Sequence, residues 1–379
     1  MAQVKMITTL DEFEAERKKG IGMVWPWDGR WRRASLDNIY LFADGIGDFN
    51  PLYRDEEYAK KSRFNTVIAP PTFGFGLSIG STVADTGNID PARLSTKDFP
   101  MNYAGAEMEF IRPIWLGDKI RVIQTVGNIY RKESRRLGPI CFCEGLNSYY
   151  NQRHELVTTL KILMARYHNV GRGMEYDREA KAGAVAEPAD PLVWERTRRG
   201  ADPRYWEDVK EGDELATLKK GTYTVSELYH WSFFVSQERR STRAHLEEEG
   251  SADLSGGGRV DTEHALKRRN MPGTFDIGPQ RVCWLAQSVT DWMGDDATLK
   301  KIQISIRHPN VVGDTNTVRG KVVKKYIKDG EHLVDVEVGN ENQAGLATAS
   351  GFSTVALPSK SKPAGLVSEP GKAGAEEIV

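Results

Sequence analysis

The sequence lacks the features that commit a chain to a membrane, an oxidising compartment or a nucleic acid. It has no run of about 18 apolar residues, so no membrane span is expected. Three cysteines among 379 residues cannot build a disulfide framework. Lys plus Arg (52) nearly balances Asp plus Glu (53), which leaves no overall field to attract nucleic acid. The N-terminus turns acidic before an apolar signal region can form, which favours a cytoplasmic location.

Motifs for metals and dinucleotides are also missing. Cys141-Phe142-Cys143 has neither the spacing nor the partners of a zinc knuckle. Gly256-Gly257-Gly258 is too weak to count as a phosphate-binding loop. The sequence therefore predicts no metal and no separate cofactor.

What the chain does have is a polar turn after a helical pattern. Ser35 is a good N-cap, the apolar residues that follow fall mostly on one helical face, and Gly47 suits the helix end. The turn that follows reads Gly47-Asp48-Phe49-Asn50-Pro51-Leu52-Tyr53-Arg54-Asp55. A carboxylate at the C-terminus of a helix is unfavourably placed, which indicates either a functional role for Asp48 or an Asx turn onto Asn50.

A second conspicuous stretch, Ala69-Pro70-Pro71-Thr72-Phe73-Gly74, follows this turn. The prolines predict an extended backbone, and residues 74–84 are apolar and poor in charge, as in a helix buried on all sides. The first turn of that helix offers unpaired N–H groups that can bind a carbonyl oxygen. A period of two over residues 108–113, 118–126, 140–150 and 156–167 predicts an antiparallel sheet, and a long buried helix wrapped by such a sheet is a hotdog domain.

The pattern recurs in the second half of the chain. Residues 69–76 match residues 271–278 at four of eight positions, and the Gly117-Asp118 turn resembles Gly313-Asp314. The sequence therefore predicts an α+β chain with two tandem hotdog domains, residues 1–168 and 206–357, joined by a linker over 169–205 and followed by a disordered tail over 358–379. The second copy carries a charged, Gly-rich insertion over 238–270, which is a lid, a partner-binding arm or a surface loop.

The chain resembles MaoC-like acyl dehydratases and R-specific enoyl-CoA hydratases in their double-hotdog form. The resemblance rests on residues 47–55, Ala59, residues 68–73 and the Arg-Pro-x-x-x-Gly-Asp turn. The resemblance implies a tunnel for the pantetheine arm of an acyl-CoA. It also implies an Asp and a His five residues apart that handle water and a proton, and N–H groups at a helix start that hold the thioester oxygen. Such a reaction needs two positioned proton carriers and an oxyanion site.

The sequence departs from that pattern at the histidine, because the position holds Tyr53 and no histidine precedes His154. The candidate catalytic residues are Asp48, Asn50, Tyr53 and His230, the last on the helix of the second copy. Weaker candidates in the insertion are Glu238, His245, Asp261 and His264. The candidate substrate-binding residues are Pro71, Thr72, Gly74, Gly273 and Gly278.

The resemblance predicts a hydro-lyase that adds or removes water at a 2-enoyl or 3-hydroxyacyl thioester, with CoA as part of the substrate. Two alternatives stay open: an acyl-CoA-binding module that has lost the chemistry, and a thioesterase on the same fold. Neither nucleic acid nor membrane is expected as a partner. Association into a homo-oligomer is expected beyond the fused pair of domains.

Overall fold

The structure is a computed structural model that describes residues 5–26, 31–77, 94–95, 99, 101–135, 137–168, 198–231, 262, 265–266 and 271–367. Predictions that fall on other residues, including nearly all of the 238–270 insertion, lie outside the described residues. Among the helices of the described ranges, none combines the length and the hydropathy needed to cross a bilayer.

The N-terminal half supplies short helices and long strands. Its helices are α1 (Leu10–Lys18), α2 (Leu36–Ile46), α3 (Glu56–Lys61) and α4 (Gly74–Leu77), with 3-10 turns at Pro51–Tyr53 and Pro71–Phe73. Its strands are β1 (Lys5–Met6), β2 (Val24–Pro26), β3 (Arg32–Arg33), β4 (Leu94–Ser95), β5 (Met101–Phe110), β6 (Lys119–Ser134), β7 (Gly138–Tyr150) and β8 (Leu156–Tyr167). The four predicted strands are thus confirmed, although the first begins seven residues earlier than expected.

The C-terminal half also consists of helices and long strands. Its helices are α5 (Val225–Tyr229) and α6 (Gly278–Met293), with a 3-10 turn at Trp206–Asp208. Its strands are β9 (Leu218–Thr222), β10 (Thr298–Ile306), β11 (Thr315–Lys328), β12 (Glu331–Glu341) and β13 (Ala347–Ala356).

One large sheet carries both halves. Within the described residues its strand order is β2-β6-β7-β8-β5-β10-β13-β12-β11-β9, with β3 also paired to β6. The halves join where β5 and β10 pair antiparallel, from Lys301 opposite Glu109 to Ser305 opposite Gly105. Helix α6 packs against β5 and β10–β13, and 15 of its 16 residues are buried, so it is enclosed on all sides. The predicted tandem hotdog is therefore the observed fold.

The duplication is visible in matching hydrogen bonds. The Asp118 carboxylate accepts from the N–H of Trp115 at 3.0 Å, and the Asp314 carboxylate accepts from the N–H of Val311 at 2.9 Å. Both residues are nearly fully buried, with exposures of 3% and 0%. This turn therefore keeps the same backbone-binding aspartate in each copy, at an offset of 314 − 118 = 196.

The register of the second prolyl turn differs from the one expected. The N–H of Ala69 donates to the carbonyl of Ile114 at 2.9 Å. In the other copy the N–H of Asp276 donates to the carbonyl of Asn310 at 2.9 Å. The structural offset is therefore 276 − 69 = 207, whereas the matching letters gave 202.

The new register changes which glycine of the second copy is equivalent to the first copy's helix start. At an offset of 207 the equivalent of Pro71 is Gly278, the first residue of α6, and Gly273 lies five residues before the helix. The shared Pro-x-Thr-Phe letters mark a turn in both copies, but the pairing with the following strand turn sets the true register.

The C-terminal segment contacts both halves. The carbonyl of Pro358 accepts from Trp206 N–H at 2.8 Å, and the N–H of Val367 donates to the carbonyl of Arg63 at 3.0 Å. The expectation of a disordered tail from residue 358 stays a prediction. Residues 368–379 lie outside the described ranges.

Candidate functional site

The site begins where α2 ends. Gly47 has φ +61°, a left-handed conformation that L side chains adopt only at a cost, and its N–H donates to the carbonyl of Asp44 at 3.0 Å. The N–H of Asp48 donates to the carbonyl of Ala43 at 2.8 Å. The helix therefore stops sharply and turns Asp48 inward.

Asp48, Asn50 and Tyr53 are all buried, with exposures of 2%, 4% and 3%. Asp48 Oδ1 accepts from the N–H of Asn50 at 3.0 Å, and Asn50 Oδ1 accepts from the N–H of Leu52 at 3.1 Å. The Asx turn that the sequence offered as an alternative is thus present. It fixes the carboxylate in place, and its presence is compatible with a chemical role for Asp48.

Tyr53 occupies the position where the family pattern has histidine. Its hydroxyl shares a hydrogen bond with Thr290, near the end of α6. Burial, together with the negative charge of Asp48, raises its pKa well above the usual value for a phenol. Tyr53 therefore stays neutral near pH 7 and can donate a proton in a hydrogen bond, but it cannot serve as a general base.

Thr72 meets the C-terminal half at Cys283. Their side chains are hydrogen-bonded, and burial raises the pKa of the Cys283 thiol to about 12. The charges of Lys220 and Asp48 both act on this thiol, with opposite signs. Asp48, Thr72 and Lys220 therefore converge on the middle of α6, although they come from three separate stretches of the chain.

The end of α2 is held by side chains of the C-terminal half. The carbonyl of Gly45 accepts from Gln280 Nε2 at 3.2 Å, and that of Gly47 accepts from Gln287 Nε2 at 3.1 Å. Lys220 Nζ donates to the carbonyl of Ile46 at 2.6 Å and to that of Gly47 at 3.2 Å. The turn that carries Asp48 is thereby fastened to β9 and α6.

The candidate substrate-binding residues of the first copy line the start of α4. Pro71 is half-buried, and Thr72 and Gly74 are buried. A Cβ at Gly74 would lie 3.3 Å from the ring of Tyr149, so the backbone here approaches an aromatic face closely. The sequence placed these residues correctly at a helix start, and their binding role stays a prediction.

In the second copy the two candidate glycines differ in setting. Gly278 is buried at the first position of α6, where a Cβ would lie only 2.5 Å from the ring of Tyr103. Gly273 is half-buried in the loop before the helix. Of the two, Gly278 has the position at a helix start that binding a carbonyl oxygen requires.

His230 lies at the C-cap of α5 and is half-buried. Its neighbour Trp231 packs against Phe42 of α2, with ring centroids 5.7 Å apart. This contact brings the second copy's helix against the first copy's. The weaker candidates Glu238, His245, Asp261 and His264 lie outside the described residues.

Several residues at this site were missed in the sequence. Lys220 was available from the alternation of β9, where Leu218 and Lys220 point to the same face. Cys283, Gln287 and Thr290 lie four and three residues apart on one face of α6, a spacing that could have marked them in the sequence. In the part of the chain that the structure describes, no cluster of three His, Cys, Asp or Glu side chains has the geometry of a metal site.

Comparison with known proteins finds relatives of the N-terminal half, which carries Asp48. Residues 33–160 match the model described as the FAS1-like dehydratase domain region. A UPF0336 protein of Thermobifida fusca is 38% identical over 95 residues, and one of Streptomyces avermitilis is 35% identical over 97; each alignment covers 24% of this chain. The chain spans about three fifths of the length of these relatives, 58% and 60%. A Thermomonospora curvata protein named "Probable enoyl-CoA hydratase alpha subunit" is 29% identical over 139 residues, 34% of this chain and 43% of that protein.

Solved structures share the fold over nearly the whole chain. A MaoC-like dehydratase matches with a TM-score of 0.66 at 15% identity, covering 90% of this chain and 99% of the other. A Mycobacterium tuberculosis protein described as having a double hotdog fold matches with a TM-score of 0.55 at 13% identity, covering 89% and 96%. The chain therefore has the double-hotdog fold of these structures, and residues 33–160 match the FAS1-like dehydratase domain region.

Proposed function

We propose that the protein is a hydro-lyase that adds water to, or removes it from, a 2-enoyl or 3-hydroxyacyl thioester of CoA. The observation that carries the proposal is the buried Asp48, fixed on an Asx turn where the two halves meet. A buried carboxylate is costly unless it is held by hydrogen bonds, and such groups are common where proton transfer is needed. The likeness to dehydratases adds support for this reaction type.

In the proposed reaction Asp48 takes a proton from a water molecule as its oxygen bonds to the β-carbon. The electron pair of the double bond moves toward the thioester, and the negative charge builds on the carbonyl oxygen. The N–H of Thr72 in the Pro71–Phe73 turn, or that of Gly278 in the second copy, holds this oxygen. Asp48 then gives this proton to the α-carbon of the enolate. The transfer restores the carbonyl and returns Asp48 to its anion.

Tyr53 and Asn50 act on the geometry in this scheme. Since the Tyr53 phenol stays protonated, it donates a hydrogen bond and orients the water or the carboxylate. Asn50 holds Asp48 through its backbone N–H. His230 would serve as a second proton carrier only if substrate binding brings it to the α-carbon.

The test is hydration of crotonyl-CoA and of longer, branched and aryl enoyl-CoA substrates. The loss of the enoyl absorbance measures the reaction. Asp48→Asn should lower kcat/KM by about 10³-fold, within the range of general acid–base contributions, while thermal unfolding changes little. Asp37→Asn, an exposed acid in the first turn of the same helix, is the matched control and should retain full activity. Equal activity of the wild type and Asp48→Asn would contradict the assignment.

Tyr53 itself favours one second candidate, an acyl-CoA-binding protein without hydratase activity, since it replaces the expected base with a neutral phenol. Calorimetry separates the two, because tight binding of acyl-CoA without turnover supports the second candidate. Release of free CoA thiol would instead indicate thioester hydrolysis.

A further inference from the structure

The C-terminal carbonyls of α2 have an unusual set of partners. The last carbonyls of a helix lack donors within the helix and carry a partial negative charge of about half a unit. Here three consecutive ones, those of Gly45, Ile46 and Gly47, are bound by side chains of the other half of the chain. Asp48 follows them directly, so a full negative charge stands beside the negative end of the dipole.

The side chain that binds two of these carbonyls is a cation. Lys220 Nζ donates to the carbonyls of Ile46 and Gly47 and also to Gln287 Oε1. It lies 3.4 Å from the place that a Cβ at Gly47 would occupy, so the ammonium lies directly against the backbone preceding Asp48. The fields of both Lys220 and Asp48 reach the thiol of Cys283, which places them around one point.

We propose that Lys220 is a positioning residue for Asp48: its ammonium fastens the end of α2 to the C-terminal half and supplies the positive charge that keeps the Asp48 carboxylate ionised. The assignment rests on the proposed function, in which Asp48 acts as a base. It also gives the C-terminal half a task in the chemistry that does not require its own aspartate and histidine.

The other ionisable groups described around Asp48 do not supply a positive charge. Tyr53 and Cys283 are neutral near pH 7, because burial raises the pKa of each. Asp291 and Asp295 act on Tyr53 with negative charge, which opposes ionisation nearby. Glu227 of α5 interacts with Lys220, but burial raises the pKa of this carboxyl and weakens its competition for the cation.

The experiment measures the pKa of Asp48 directly and does not depend on activity. Protein labelled with ¹³C at the Asp carboxyls is titrated by NMR, and the Asp48 signal is identified from its absence in Asp48→Asn. Lys220→Met should raise the Asp48 pKa by about one unit or more, because it removes the cation bound to the adjacent Gly47 carbonyl. The acid limb of the kcat profile for crotonyl-CoA should move to higher pH by the same amount, so that kcat on that limb falls about 10-fold or more while KM stays nearly unchanged.

Three variants separate charge from folding. Lys220→Arg keeps the charge and should leave the Asp48 pKa close to that of the wild type. Lys220→Gln keeps a donor for the carbonyls but removes the charge, so it should shift the pKa even if Lys220→Met fails to fold. Lys219→Met, at the adjacent exposed lysine, should change neither quantity.

An Asp48 pKa that is unchanged in Lys220→Gln and Lys220→Met overturns the inference, even if the wild type is an active hydratase. A shifted pKa in a wild-type background without hydration supports the role of Lys220 and overturns the proposed function instead.

Discussion

The two halves begin their central helices at equivalent positions with opposite chemistry. In the N-terminal half the position holds Gly74, whose backbone faces the ring of Tyr149. At the offset of 207 the C-terminal half has Arg281, which forms an ion pair with Asp276 at 2.6 Å with both side chains almost fully buried. Arg281 Nη1 also donates to the carbonyls of His308 and Thr348, at 2.7 Å each.

This difference shows how a duplicated domain divides its tasks. Where Gly74 has no side chain, the second copy has a guanidinium that binds carbonyls and a carboxylate of its own half. A buried carboxylate occurs in each half, but Asp276 is bound by a side-chain cation whereas Asp48 is bound by a backbone N–H. We propose that the first arrangement is structural and that the second serves the chemistry.

The largest stability effect is expected from breaking the ion pair on one side. Arg281→Met leaves the Asp276 carboxylate buried without its cation and should lower the free energy of unfolding by about 3–5 kcal/mol. The double variant Asp276→Ala with Arg281→Met removes both charges and should be more stable than Arg281→Met alone. Urea unfolding of the four proteins of this cycle measures the coupling, and additive losses would contradict a structural pair.

The two helix-start glycines should respond differently to a methyl group. At Gly278 the added Cβ would meet the Tyr103 ring at 2.5 Å, and the alanine variant should lose about 1–3 kcal/mol of stability through overpacking. At Gly74 the nearest ring atom is 3.3 Å away, and the helix propensity of alanine offsets most of the strain, so the loss should be about 1 kcal/mol or less. Chemical denaturation of both variants measures the two losses of stability. A larger loss at Gly74 than at Gly278 would contradict this expectation.

Alkaline pH tests two buried phenols of the N-terminal half, Tyr53 and Tyr103, which both lie against α6. Burial raises the pKa of Tyr53 and of Tyr103 above the ordinary value of about 10. Below that pH the phenols are protonated in the folded and unfolded states alike, and above it only the unfolded chain releases its protons, so stability falls as pH rises above about 10. Tyr53→Phe and Tyr103→Phe should each flatten this loss between pH 10 and 11. Curves parallel to that of the wild type for both variants would show that the burial is not maintained in solution.

Much of the fold could be predicted because its signals are local. The N-cap at Ser35, the stop at Gly47 and the alternation of β6–β8 are each encoded within a few residues. The register between the copies was misjudged by five positions because similar turn letters recur where the backbone pairing differs. The residues that hold Asp48 could not be found in this way, since Lys220 and Gln287 lie more than 170 residues away and act only after the halves have docked.

The smallest effect concerns the thiols, and it compares a small cluster of the N-terminal half with the main core that both halves share. Cys141 and Cys143 belong to a small apolar cluster under α1, whereas Cys283 lies in the main core on α6. A small cluster opens locally at lower cost than the main core, so Cys141 and Cys143 should react with a thiol reagent sooner than Cys283 in mild urea. The Cys283 thiol should react only at the rate of global unfolding, because it is fully buried and its pKa of about 12 leaves almost no thiolate at pH 8. Mass spectrometry of labelled peptides resolves the three sites. Early labelling of Cys283 would mean that α6 is not the stable centre on which the Asp48 turn is mounted.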